Sequence, residues 1–239
     1  IHIRVSDQTP EDFVKLVLRC IRGGNSSFVF VNDTTVIKAL TSVGIKERDA
    51  KNYVPIGCYE PAVWGMELGC TGCGGINLAK AVELTLLSGR DHATGDLCGL
   101  ATGEIRSFPE FLAAVKSQIA YLTDRATGYV TKIEPYYGLV NPDPLLSCQY
   151  DESVARGMDV YDGGAKYNNS SMSFYSLASL VDSLCAIKNL VYDQQKLTLS
   201  QLTQILQNDW QGHEKLRLEA RRLPQKYGNA DPLADSLAK

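Results

Sequence analysis

The sequence predicts an α/β protein, and three observations predict it. Short apolar runs rich in β-branched and aromatic residues, "IHIRV" (1–5), "SFVFVN" (27–32) and "YVPIG" (53–57), read as strands. The first two are each followed by apolar residues at helical spacing. Beyond residue 76 the patterns are mostly helical, so the order is strand, helix, strand, helix and then mainly helix. Only three or four strands are evident, too few to close a barrel of their own.

Taken in order, Thr9-Pro10-Glu11-Asp12 sets up a helix start: a capping hydroxyl, proline at the first position and acids in the first turn. Phe13, Leu16, Val17, Cys20 and Ile21 continue it, and Gly23-Gly24 ends it. "DTTVIKALTSVGI" is a helix capped by Asp33, and "ERDAKNY" a further helical turn. Pro55 places the strand "YVPIG" at an edge or a bulge. Residues 69–75 read as a glycine-rich turn before the helix "INLAKAVELTLLSG", whose apolar side carries Leu78, Val82, Leu84 and Leu87. Residues 91–107 are loop, and a long helix runs from about Pro109 to about Val130. "NPDPLLSCQYDESVARG" is a turn feeding a short helix, with Asp143 between two prolines as turn or cap. "YDGGAKYNNSS" reads as loop around a short strand. Helices follow at about 173–192, 198–210 (capped by Thr198) and 213–222. No internal repeat is visible.

The 239 residues suffice to bury a sizeable core. A composition of 44% hydrophobic and 21% charged residues is that of a globular chain, and no apolar run approaches the roughly 20 residues that span a bilayer. The net charge of −3 and pI near 5.7 argue against a nucleic-acid or polybasic membrane surface. Seven cysteines, an odd number scattered through a chain of this size, read as reduced thiols of a cytoplasmic protein. No secretory signal opens the chain, which starts in a strand-like run without Met and is therefore expected to be cut from a longer protein.

The sharpest chemical feature is "NYVPIGCYEPAVWG" (52–65), where Cys58 and Glu60 lie at a strand-to-loop junction. Side chains at i and i+2 of a strand point the same way, so the two can converge on one cavity. A thiol there can exchange a hydrogen atom or attack as a nucleophile while the carboxylate moves a proton. The bland alternative is a small core cysteine beside a solvated loop acid. "GCTGCGG" (69–75) holds a Cys70-x-x-Cys73 pair, half a zinc site or a redox dithiol, but Cys98 and His92 stand alone as further ligands, so no metal is expected. Its glycines could cradle phosphate before a helix, but no lysine accompanies them. His92 and His213 read as surface residues.

"IGCYEP" resembles the active-site motif of glycyl radical enzymes of the pyruvate formate-lyase-like superfamily, in the branch where Gly-Cys-x-Glu replaces an adjacent cysteine pair. "FVNDTTVIKAL" ahead of it resembles the family's Phe-x-Asn-Asp segment, and "NLAKAVELTLLSG", "DGGAKYN" (162–168), "VDSLCAIKNLVYD" (181–193) and "KYGN" (226–229) follow in family order. The resemblance covers nearly the whole chain. It implies part of a ten-stranded α/β barrel of two five-stranded halves, with residues 1–239 as one segment of the later, helix-rich portion. The first half-barrel and the C-terminal glycyl radical domain are expected to be absent from it. "RATGY" (125–129) mimics the radical loop, but Gly128 sits in a predicted helix and in the wrong order, and reads as a decoy.

The same resemblance implies that Cys58 becomes the thiyl site and Glu60 the base, with Thr71 lining the pocket. The implied chemistry is radical elimination or lyase cleavage of a small polar substrate in an anaerobic bacterium. No cofactor is expected on this chain itself. The implied parent is a homodimer whose glycyl radical is installed by a radical S-adenosylmethionine activase. Glu60 in place of a second cysteine disfavours acyl transfer from pyruvate. An inactive structural fragment and a Cys-x-x-Cys redox or metal protein are the other readings. "NSSMSFY" (169–175) stands where many dehydratases carry a Gly-Pro-rich turn, which leaves the substrate open.

Overall fold

The computed structural model describes residues 1–239, save the side chains of residues 70–72. In chain order the elements are β1 (His2–Val5), α1 (Glu11–Arg22), β2 (Val29–Asn32), α2 (Asp33–Ser42), α3 (Glu47–Ala50), β3 (Tyr53–Ile56), β4 (Glu60–Val63), β5 (Glu67–Asn77), α4 (Leu78–Leu86) and α5 (Phe108–Ile133). They continue with α6 (Tyr137–Val140), α7 (Pro144–Ser147), α8 (Asp151–Arg156), β6 (Tyr167–Tyr175), α9 (Leu177–Ile187), α10 (Leu199–Gln207), α11 (Glu214–Arg222) and α12 (Pro232–Leu237). The α/β class holds. The chain forms two compact units, Ile1–Cys73 with Thr131–Ser171 and Gly74–Val130 with Met172–Lys239.

In the first unit β1 and β2 pair in parallel, His2 opposite Val29 and Val5 opposite Asn32, with α1 as the crossover. Val31, Leu40, Ile45, Ala50, Tyr53 and Val63 form its core. β3 and β4 make an antiparallel hairpin, Tyr53 opposite Val63 and Ile56 opposite Glu60, with residues 57–59 as its tip. Pro55 faces Pro61 in this two-stranded ladder, so the expected edge placement is observed. The Asp162-Gly-Gly segment is explained by space. Gly163 has φ +80°, and a Cβ on Gly164 would lie 2.6 and 2.7 Å from the carbonyl oxygens of Met158 and Asp159.

The second unit is a helical core. Leu78, Ala81 and Val82 of α4, Phe111 and Val115 of α5, and Leu180, Leu184 and Ile187 of α9 pack together. A π-helical turn, Lys188–Asp193, extends α9 and buries Leu190. Thr198 closes a capping box with Gln201 at the start of α10, as expected. The loop at 91–107 is held by Gln118 of α5, whose amide accepts from Leu100 N at 2.9 Å and donates to Leu100 O at 2.7 Å.

Several local expectations are corrected. Residues 69–75 are not a turn but part of β5, which pairs with β6. Their glycines leave room for large neighbours: a Cβ on Gly74 would stand 2.6 Å from Met172 Cε and one on Gly75 2.4 Å from Tyr175 Cε2. β6 runs on to Tyr175, so the following helix starts at Leu177 rather than near residue 173. Asp33 is the first residue of α2 and not its cap. Asn32 caps, accepting from Thr35 N at 3.0 Å. Thr9 does not cap α1, since its hydroxyl accepts from Ser6 N in the preceding turn.

Candidate active site

The hairpin places Cys58 at its tip and Glu60 at the first position of β4, so the two predicted residues share one turn. Gly57 enters the turn with φ +55°, and a Cβ there would stand 2.8 Å from Glu60 Oε2. The tip therefore folds around the carboxylate. Glu60 Oε2 accepts from Cys58 N at 2.9 Å and from Tyr59 N at 3.1 Å. Amide hydrogen bonds from its own residue and from Tyr59, then Cys58, hold the half-buried carboxyl below the usual range. Cys58 is exposed on this segment. Glu60 is not a solvated loop acid; it organises the loop.

The strand β1 reaches this hairpin through two side chains that sequence reasoning missed. His2 Nε2 contacts the Cys58 carbonyl at 2.5 Å. Arg4 makes a bidentate pair with Asp33, at 2.8 and 3.0 Å, and donates to Tyr53 O at 3.0 Å and Lys51 O at 3.1 Å. Its guanidinium also lies 4.1 Å from the Tyr53 ring centre. The Tyr53 hydroxyl donates to Asp33 at 2.6 Å, and burial followed by that carboxylate pushes the phenol up to about 12. One signal was present: His2 and Arg4 are the polar positions i and i+2 of an apolar strand and so share a face.

Beneath the hairpin, Glu67 is buried and joins Val63 N at 2.8 Å to Asn169 Nδ2 at 2.7 Å. Thr71 and Cys70 lie outside the described side chains, so the pocket-lining and dithiol expectations are not placed here. Cys73 is half-buried on β5. Among the described residues no three His, Cys, Asp or Glu side chains gather as a metal site, and no helix is long and apolar enough to cross a membrane. Gly128 sits inside α5, in the long helix the sequence predicts. His92 and His213 are exposed, and Asp143 caps α7.

The α/β scaffold thus carries a parallel βαβ pair and a hairpin that bears a cysteine, with a carboxylate two residues on. The chain belongs to the pyruvate formate lyase-like family, whose profile matches residues 1–239. It is 32% identical over 99% of its length to (2S)-3-sulfopropanediol dehydratase of Klebsiella oxytoca, covering 29% of that protein. It is 31% identical over 99% of its length to trans-4-hydroxy-L-proline dehydratase of Clostridioides difficile, covering 30% of it. The glycerol-bound B12-independent glycerol dehydratase of Clostridium butyricum superposes with a TM-score of 0.88 at 33% identity, over 99% of this chain and 30% of that one. The chain thus spans about three tenths of the length of the relatives it matches.

Proposed function

We propose that the full-length protein carries out radical elimination or lyase chemistry, a dehydration or a C–C, C–N or C–O cleavage, on a small polar molecule. Residues 1–239 form one segment of its α/β barrel. The observation that carries this reading is the Gly57-Cys58-Tyr59-Glu60 tip, which presents an exposed thiol and a carboxylate on one turn. The named activities of the relatives, two dehydratases among them, support the class of reaction.

A glycyl radical, installed by a radical S-adenosylmethionine activase, supplies the acceptor for a hydrogen atom. An exposed cysteine on a turn held by its own neighbours fits such chemistry, because a thiol reached from solvent-side space can also be reached by substrate. The chain's own residues then divide the work. Cys58 gives up its S–H hydrogen atom and takes one from a substrate carbon bearing a hydroxyl. Glu60, ionised at neutral pH because amide N–H groups favour its charged form, accepts the hydroxyl proton. Loss of that proton lets the group on the adjacent carbon leave with the bonding electrons. The product radical takes the hydrogen atom back from Cys58, which leaves the sulfur as the thiyl radical, ready for the next substrate.

Replacement of Cys58 tests the reading. In the activated full-length protein, Cys58→Ala and Cys58→Ser should abolish turnover while the glycyl radical doublet still forms in electron paramagnetic resonance. A serine O–H is too strong a bond to yield its hydrogen. Substantial turnover by Cys58→Ser would sink the thiyl assignment.

A further inference from the structure

We propose that His2 is a positioning residue for Cys58: by donating its Nε2–H to the Cys58 carbonyl it fastens the thiol-bearing tip to β1. The partner is a carbonyl oxygen, which only accepts, so the 2.5 Å contact requires the proton on Nε2. This inference rests on the reading of Cys58 as the reacting thiol.

The tip needs such an anchor. Residues 57–59 lie outside the β3–β4 ladder, and the hairpin belongs to a different two-stranded sheet from β1. Among the described residues, side chains rather than a backbone ladder tie the hairpin to that strand. Arg4 holds the root, through Tyr53 O and Lys51 O, and is itself locked by Asp33. His2, two residues earlier on the same face of β1, holds the tip. At the tip, Glu60 takes the amide of Cys58 and His2 takes its carbonyl. Both backbone polar groups of Cys58 are thereby fixed by side chains. The thiol is left with only its side-chain torsion to settle where the sulfur stands. Hydrogen transfer depends steeply on that position, since a misplacement of about 1 Å can cost on the order of 10²-fold in rate.

The experiment compares His2→Ala, His2→Leu and His2→Gln in the activated full-length protein, with Cys58→Ala as control. Glutamine carries an N–H donor near the place of Nε2. Alanine and leucine carry none. In His2→Ala and His2→Leu, kcat should fall about 10²-fold with KM little changed, and His2→Gln should recover most of it. Before activation, amide hydrogen exchange in the peptide spanning residues 52–65 should quicken about tenfold in the alanine and leucine variants and return toward wild type in His2→Gln. Wild-type kcat and exchange in His2→Ala would overturn the proposal. So would an equal loss of kcat in all three variants with tip exchange unmoved, which would mark general damage. Turnover retained by Cys58→Ala would overturn the thiol reading instead, and the exchange measurement would still decide whether His2 holds the tip.

Discussion

Lys166 donates its ammonium to the buried carboxylate of Asp49 at 2.7 Å, across 117 residues of sequence. The same carboxylate oxygen accepts the Tyr167 hydroxyl at 2.8 Å, and that hydroxyl in turn accepts from Lys46 N at 3.2 Å. The "DGGAKYN" segment is therefore a clamp on α3, the helix that leads directly into β3 and the cysteine hairpin. Gly163 and Gly164 are what let the chain turn closely enough to deliver Lys166 and Tyr167.

This pairing predicts a pH dependence. Hydrogen bonds from Lys166 and then Tyr167 lower the Asp49 carboxyl to about 2, against an ordinary value of about 3.9. The folded state thus binds this proton less readily than the unfolded one. The stabilisation is fully present above about pH 4 and is lost as the pH falls through about 2. Asp49→Asn should lower the melting temperature of the full-length protein at pH 7, and the gap to wild type should close between about pH 4 and pH 2. Thermal melts across that window check it; a gap independent of pH would mean the charge contributes nothing.

A second prediction concerns the loop at 91–107. Gln118 is 1% exposed and satisfies both the N–H and the C=O of Leu100. Gln118→Leu fills the space but strands both backbone groups. An unsatisfied buried group costs about 1–3 kcal/mol, and because Leu100 itself is exposed, water relieves part of the penalty on its two backbone groups, so the variant should lose about 1–3 kcal/mol in all. Denaturant unfolding, with hydrogen exchange reporting on the Leu100 amide, measures it. A loss under about 0.5 kcal/mol would show that water replaces the side chain without cost.

What the sequence disclosed divides by range. Thr198 and Asp143 were legible as caps because a cap is decided within four residues. The Cys58/Glu60 spacing was legible, but not that Glu60 would turn its carboxylate onto the tip amides, which depends on the backbone of Gly57. His2 and Arg4 act across 56 and 49 residues, and no local pattern names a partner that far away. The glycines at 74 and 75 misled for a physical reason. Glycine signals either a turn or a need for space, and the Met172 and Tyr175 side chains that require the space sit on a strand about 100 residues later.

The last prediction tests Glu60 and separates elimination from acyl transfer. Two demands meet on this carboxylate: it holds the amides of Cys58 and Tyr59, and in the proposed reaction it receives a proton. Glu60→Gln keeps the shape and an acceptor oxygen for the amides but removes the basicity. The tip should stay ordered, and kcat of the activated full-length protein should fall by about 10²–10⁴-fold, the usual range for general-base catalysis. Hydrogen exchange between Cys58 and the substrate carbon needs no carboxylate, so deuterium from labelled substrate should still wash into the thiol while product formation stalls. Glu60→Ala differs in kind, because it also frees the two tip amides, and it should slow that wash-in as well. An enzyme of acyl transfer would consume pyruvate and coenzyme A with Glu60 dispensable. Near wild-type turnover by Glu60→Gln would leave the carboxylate as a loop-shaping group alone, and the elimination reading would fall with it.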